Sequence, residues 1–426
     1  PTRALRQLMK RTLLLAWFFS LLVCGCGASE PAPAIDTWTQ ETVDASQPDV
    51  VQEDTQVPPA DTSVAEDVVT APDPFEGVGA IIEARMKRAN IPGLAAAVTA
   101  RGKVLWTGAY GLAHVAEARP VTVDTPFMLA SVSKTVTAVA IMRAVQDGKL
   151  ALEDPINTHL PFTVDNPQTE GEVILMRHLV SHTSGIRDNW GQMPYSDGDS
   201  TVSLGDFVKG YLVDGGAYYD AAANFSATMP GEAFEYGNVA TALAGYVVEV
   251  VTETPFDDYC DTHIFSVLGM PNTGWHLADF NPENVAMPYT WSNGNYQTNG
   301  HYGYADYPDG QLRSSVSDLA RFLAAISNQG ELDGANVLHA DTVTQLLSPQ
   351  APDVDDTQYV FWYQGKVKAR TVIGHGGSDI GVATRMAFSA ETGFGVIILM
   401  NISWSDEVTS VATELQALLF LFIRFH

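Results

Sequence analysis

The sequence predicts an α/β (α+β) fold: an antiparallel sheet assembled from both ends of one large domain, flanked by helices, with a helical insertion subdomain between. Three observations lead there. Strand patterns cluster just after residue 90 and again after residue 355, a helix-rich stretch separates the clusters, and a last amphipathic helix can cover the sheet. The chain has 426 residues, of which 46% are hydrophobic and 10% aromatic, so a sizeable buried core is available.

The chain opens on a basic segment (Arg3, Arg6, Lys10, Arg11) followed by the apolar run Thr12 to Val23. That run is shorter than the ~20 residues a membrane-spanning helix needs and has the length of a signal-peptide core. Residues 1–25 are therefore expected to be a signal peptide, for which Met9-Lys10-Arg11 would make a compact start. Val23-Cys24-Gly25-Cys26 resembles the lipobox of bacterial lipoproteins, with cleavage after Gly25 and lipidation of Cys26. This gives an expected place in the bacterial cell envelope, attached to a membrane by the lipid. Residues 26–76 form an acidic, Pro-rich tether. From Glu30 to Glu76 there are twelve acidic residues and no Lys or Arg, a composition too polar to offset its ordering entropy.

The catalytic domain is expected over 77–426, with sheet portions at about 77–135 and 355–426 and the helical insertion at about 136–354. Val78 to Ala89 has helical spacing and stops at Asn90 and Pro92. Gly93–Ala100 and Val104–Tyr110 read as strands around an Arg101-Gly102-Lys103 turn. A long helix is expected within Phe127 to Val145. After the insertion, Tyr359–Val372, Val382–Ser389 and Gly393–Met400 read as strands, and Asp406–Ile423 as the closing helix. Two aromatic segments, Trp190–Phe225 and Tyr289–Tyr307, would either rim a cleft or act as structural loops.

The net charge is −27, from 23 Lys and Arg against 50 Asp and Glu. Phosphate backbones would repel such a chain, so nucleic acid is excluded as a partner. Two of the three cysteines, Cys24 and Cys26, crowd the amino terminus, which leaves Cys260 without a disulfide partner; it reads as a buried structural thiol. His178 and His182 stand one helical turn apart but lack the Glu of H-E-x-x-H, so no metal is expected. The absence of G-x-S-x-G weighs against an α/β-hydrolase.

The chemistry concentrates in Ser131-Val132-Ser133-Lys134. A serine at the start of a helix keeps its own N–H free, and a lysine three residues on shares its face. A lysine buried among apolar groups loses charge stability and can act as a base toward the hydroxyl. By itself S-x-x-K fits a capping serine and a solvated charge equally well. Two further elements change the balance: Tyr236-Gly237-Asn238 before an apolar helix, and His375-Gly376-Gly377 at the end of a strand. With these three motifs in order the chain resembles the β-lactamase-like serine hydrolases, a family of class C β-lactamases, D-Ala-D-Ala carboxypeptidases and related esterases. Arg177 to Ile186 and Asp309 to Ser315 resemble its supporting stretches.

The resemblance implies a β-lactamase/transpeptidase-like fold, an acyl-enzyme mechanism and no cofactor. It makes Ser131 the nucleophile, with Lys134 and Tyr236 sharing the proton traffic and the choice of base left open. It assigns Asn238 to a substrate hydrogen bond, the N–H groups of Ser131 and Ser378 to the oxyanion, and the bare backbone at Gly377 to substrate pairing along the strand. Class C β-lactamases carry Lys where this chain has His375. A largely neutral imidazole attracts a carboxylate less strongly, and activity toward anions would rise as it becomes protonated at lower pH. The expected substrate is a small molecule or peptidoglycan peptide, a D-Ala peptide or carboxylic ester rather than an efficiently cleaved β-lactam. From another class comes an inactive lipoprotein that keeps the fold as a binding module.

Overall fold

The computed structural model describes residues 75–422. The expected signal peptide, the lipidation site Cys26 and the tether lie outside the described residues.

Seven antiparallel strands form the main sheet. They are β1 (Gly93–Ala100), β2 (Lys103–His114), β3 (Arg119–Pro120), β4 (Tyr363–Val367), β5 (Arg370–Asp379), β6 (Val382–Phe388) and β7 (Phe394–Met400). Their spatial order is β4-β5-β6-β7-β1-β2-β3. The two ends of the chain meet at the β1–β7 pair, where Leu94 faces Met400 and Ala97 faces Ile397. β1 is buried along its whole length because both faces are covered. Leu94, Ala96 and Val98 join Val396, Ile398 and Met400 beneath α1 (Val78–Arg88) and the closing helix Asp406–Phe422. Ala95, Ala97, Ile397 and Leu399 face the helical insertion. The two-residue side-chain period of a strand thus divides one apolar run between two cores, and each fully buried Leu, Ile or Val adds ~1.5–3 kcal/mol.

The insertion supplies α2 (Ser133–Gln146), α3 (Asn238–Thr252) and α4 (Val316–Ser327), which share one core; α4 packs on β1 and β7, and α3 packs on α2; the closing helix is α5. Among the described residues no helix is long and apolar enough to cross a membrane.

Several boundaries differ from expectation. The single strand expected over Tyr359–Val372 is a hairpin of β4 and β5, turned at Lys368, which has φ 53°. The third motif lies in the last part of β5, just before β6, as expected, but that strand starts only at Arg370 and is held by its register with β6. The helix expected from Phe127 starts later. Phe127-Met128 pairs as a strand with Arg313-Ser314, and Ala130–Val132 is a 3₁₀ turn that feeds α2. Within Tyr289–Tyr307, a short hairpin (Tyr289–Ser292 with Asn295–Thr298) turns on Asn293-Gly294.

Candidate active site

Ser131 stands in the 3₁₀ turn before α2, after Ala130 at φ 49°. A non-glycine residue in the left-handed region costs ~1–3 kcal/mol and persists only where its surroundings fix it. Here they do. Leu129 N–H donates to Leu312 O at 2.8 Å, and the Thr384 hydroxyl donates to Leu129 O at 2.6 Å. The Asp309–Ser315 stretch and β6 thereby clamp the segment that carries Ser131.

Lys134 is fully buried rather than solvated. Its Nζ donates to Ser131 Oγ at 3.2 Å, Asn238 Oδ1 at 2.6 Å and Asp309 O at 2.7 Å. The Asp309 carboxylate lies 3.5 Å away. Three acceptors match the three donors of an ammonium. Burial opposes this charge, but Tyr236, Asp309 and Asp188 outweigh it and hold the lysine above its usual pKa. The expectation that burial would neutralise Lys134 is therefore corrected: its acid neighbours keep it charged.

Asn238 begins α3, and both ends of its amide are engaged within the protein. Oδ1 meets Lys134, and Nδ2 donates to Asp188 Oδ2 at 2.9 Å. Gly237, before the helix, brings no capping side chain. Asp188 supplies the cap, accepting from Asn238 N at 2.9 Å and Val239 N at 3.1 Å. Within the protein Asn238 is thus a strut between Lys134 and Asp188, and Nδ2 keeps a second hydrogen for the expected substrate bond.

The Tyr236 hydroxyl lies 2.9 Å from Ser131 Oγ, with Lys134 Nζ 4.9 Å from the ring centre. His182, within the Arg177–Ile186 stretch, fixes this tyrosine. Its ring centre is 4.5 Å from that of Tyr236, its Nδ1 accepts from Gly237 N at 3.2 Å, and its carbonyl accepts from Glu235 N at 2.7 Å. Burial raises the Tyr236 pKa, against the pull of Lys134 and Ser131, so the resting pair is a phenol beside an ammonium.

On β5, His375 packs edge-on against Tyr363 at 5.0 Å, and its Nδ1 donates to Gly376 O at 2.5 Å. That bond fixes the tautomer with Nε2 as an acceptor. Burial, and then the charge on Lys134, push its pKa down to about 3. The expected titration of His375 near neutrality is corrected accordingly. Its one ring proton is already donated to the backbone.

The bare backbone at Gly377 is also needed within the protein, since a side chain there would strike Leu129 O and the Thr384 hydroxyl. The two-residue Ile380-Gly381 connection makes Asp379–Val382 and Gly377–Thr384 the hydrogen-bonded pairs of the β5–β6 ladder. Ser378 N–H therefore points to the open edge of β5, as does Gly376 N–H, which donates to the Tyr363 hydroxyl at 3.1 Å.

A cleft of about 610 Å³ opens beside Tyr236, walled by Asp188, Trp190, Gly191 and Ala223, with Arg187 and Glu235 paired at its rim. Part of the first aromatic segment thus lines this cleft. His178, expected only as structure, accepts from Leu175 N through Nδ1, and Cys260 is buried with its thiol pKa pushed up by that burial.

The Beta-lactamase family model matches residues 78–419. The chain belongs to the Beta-lactamase family. Among curated relatives of this family member, esterase EstB of Burkholderia gladioli is 32% identical over 219 residues, 49% of this chain and 53% of EstB. Protein flp of Staphylococcus aureus (strain MW2) is 24% identical over 256 residues, 59% of this chain and 48% of flp. The match thus spans about half the length of these relatives. The structure of a D-amino acid amidase from Ochrobactrum anthropi SV3 superposes with a TM-score of 0.65 at 21% identity. The match covers 82% of this chain and 98% of the amidase, a likeness of fold.

The three motifs meet at Ser131 from separate parts of the chain. Sequence reasoning passed over Asp188, which lies two residues beyond the Arg177–Ile186 stretch, and the carboxyl group of Asp309, which opens the second supporting stretch. An acid at the border of each stretch was the available signal.

Proposed function

We propose that this Beta-lactamase family member is a serine hydrolase acting through an acyl-enzyme on esters or amides. One observation carries the reading: Ser131 Oγ lies within hydrogen-bond reach of both Lys134 Nζ, at 3.2 Å, and the Tyr236 hydroxyl, at 2.9 Å. In this reading Ser131 attacks the carbonyl carbon and the N–H groups of Ser131 and Ser378 hold the oxyanion, donors worth ~3–4 kcal/mol of barrier. The three donor bonds of Lys134 leave it no lone pair; Tyr236 first gives up its hydroxyl proton to solvent, and the resulting phenolate, stabilised by that ammonium, takes the serine proton and returns it to the leaving group. Water then releases the acyl group by the same route.

The esterase and amidase names among the similar proteins support a carboxylic ester or a D-amino-acid amide or peptide as substrate. The neutral His375 supports weak β-lactam turnover. We also carry forward an exported lipoprotein anchored at Cys26, for which Cys26→Ser should release soluble or uncleaved material; equal membrane retention of both forms, at equal processing, refutes the anchor.

A fluorophosphonate probe should label the wild type, and Ser131→Ala should lose both labelling and p-nitrophenyl butyrate turnover. Full residual turnover in that variant would remove Ser131 from the mechanism. An unlabelled, inactive wild type would favour the binding-module reading.

A further inference from the structure

The hydrolytic reading leaves one carboxylate on the open edge of β5 unused. Asp379 directly follows Ser378. Its Oδ1 accepts from the Tyr195 hydroxyl at 2.9 Å and from Ile380 N at 2.7 Å, and its Oδ2 accepts a longer bond of 3.4 Å from the Tyr304 hydroxyl. A carboxylate offers about four acceptor positions; the nearby Tyr302 hydroxyl gives its one proton to Ile380 O at 2.8 Å, so Oδ2 keeps capacity for another donor. Among the described residues Asp379 forms no ion pair.

The surroundings are aromatic. The Tyr195 ring centre lies 5.3 Å from that of Tyr302 and 5.5 Å from that of Tyr304. Tyr302 and Tyr304 pack on Met128, Ala130 and Val382, which places them against the residue preceding Ser131. Tyr195 and Ile380 are 44% and 45% exposed, so the group opens to solvent between an aromatic and an aliphatic wall.

The local charges do not balance. Lys134 faces Asp188 and Asp309, while Asp379 has no cation of its own. Asp309 Oδ1 is buried without a hydrogen-bond partner, and its carboxyl group acts electrostatically on both Asp379 and Tyr195. An anionic substrate group here would meet uncompensated negative charge. An ammonium would meet a carboxylate and tyrosine faces, which attract cations.

Resting on the serine-hydrolase reading, we propose that Asp379 with Tyr195, Tyr302 and Tyr304 forms a subsite for an ammonium group of the substrate. The preferred substrates are then esters or amides that carry a free amine beside an apolar side group.

The test uses matched compounds at a pH that keeps the amine protonated. Phenylalanine methyl ester should exceed methyl 3-phenylpropionate in kcat/KM by about tenfold or more, the range of a charge-assisted hydrogen bond. Asp379→Asn should bring that ratio close to one, and Tyr195→Phe should lower it. Calorimetry with phenylalaninol and 3-phenylpropan-1-ol reads the same preference without hydrolysis. A wild-type ratio near one in both measurements, or a ratio that survives both substitutions, overturns the subsite. If neither ester is cleaved while phenylalaninol still binds at least tenfold more tightly in an Asp379-dependent way, the hydrolase reading fails and the subsite stands. Loss of both cleavage and amine-dependent binding overturns both.

Discussion

Replacing Asp188 with alanine removes the acceptor for three donors at the start of α3: Asn238 N, Val239 N and Asn238 Nδ2. A bond to a charged group is worth ~1.5–3 kcal/mol, and a helix cap ~0.5–2 kcal/mol. Asp188 borders an open cleft of about 610 Å³, so water can replace part of what is lost. The expected cost is about 2–4 kcal/mol, roughly one cap and one charged bond. The described fold has 348 residues, and at ~2.1 cal/mol/K of unfolding entropy per residue this lowers Tm by about 3–6 °C. Activity should fall further than stability alone explains, because the Asn238 amide that orients Lys134 becomes free to turn. Differential scanning fluorimetry and p-nitrophenyl butyrate kinetics on Asp188→Ala and Asp188→Asn read both effects. A Tm within 1 °C of wild type, with unchanged kcat, would refute the strut.

Lys134→Ala should lower kcat by ~10²-fold or more, since the phenolate loses its counter-charge; wild-type turnover in a folded variant would count against the proposed base. Asp309, raised by burial to about 7, holds a proton in the folded chain that the unfolded chain releases near ~4. Its contribution to stability is complete below ~4 and is lost as pH rises through about 7. The fall in Tm between acid and neutral pH should accordingly be smaller in Asp309→Asn, and equal slopes would contradict the buried-acid account. With His375 neutral down to about pH 3, nitrocefin turnover should stay slow and should not rise on acidification to pH 5. A rise there that His375→Gln abolishes would show that the imidazole titrates after all.

Local pattern made some parts of this fold legible and left others hidden. β1 was readable to the residue because Gly93–Ala100 is a run of small and apolar residues, with Thr99 alone polar, between Pro92 and the Arg101-Gly102 turn. The β4–β5 hairpin was hidden because its turn uses Lys368 in place of glycine, and Gly374–Gly377 resembles a strand end until pairing with β6 overrides that weak propensity. The motif side chains announced themselves by spacing. Their protonation could not be read that way, because the charges that set it come from Asp188 and Asp309, far along the chain from Lys134. Asp379 was silent for a similar reason: its tyrosine partners, Tyr195 and Tyr304, arrive from other segments.

The pairing of β1 with β7 also bears on how the chain is made. Leu94 and Met400 face each other across about 300 residues of sequence, so the central ladder cannot close until the chain has been made as far as Met400. Contacts of such long range are slow to form, because loop closure must precede any gain from packing. Ser131 belongs to the early part of the chain, yet β5 and β6, which carry Ser378 and Thr384, emerge late in synthesis. A nascent or carboxyl-terminally truncated chain would therefore hold the nucleophile without its oxyanion site or the clamp on Leu129. Reactivity arrives only with the last strands.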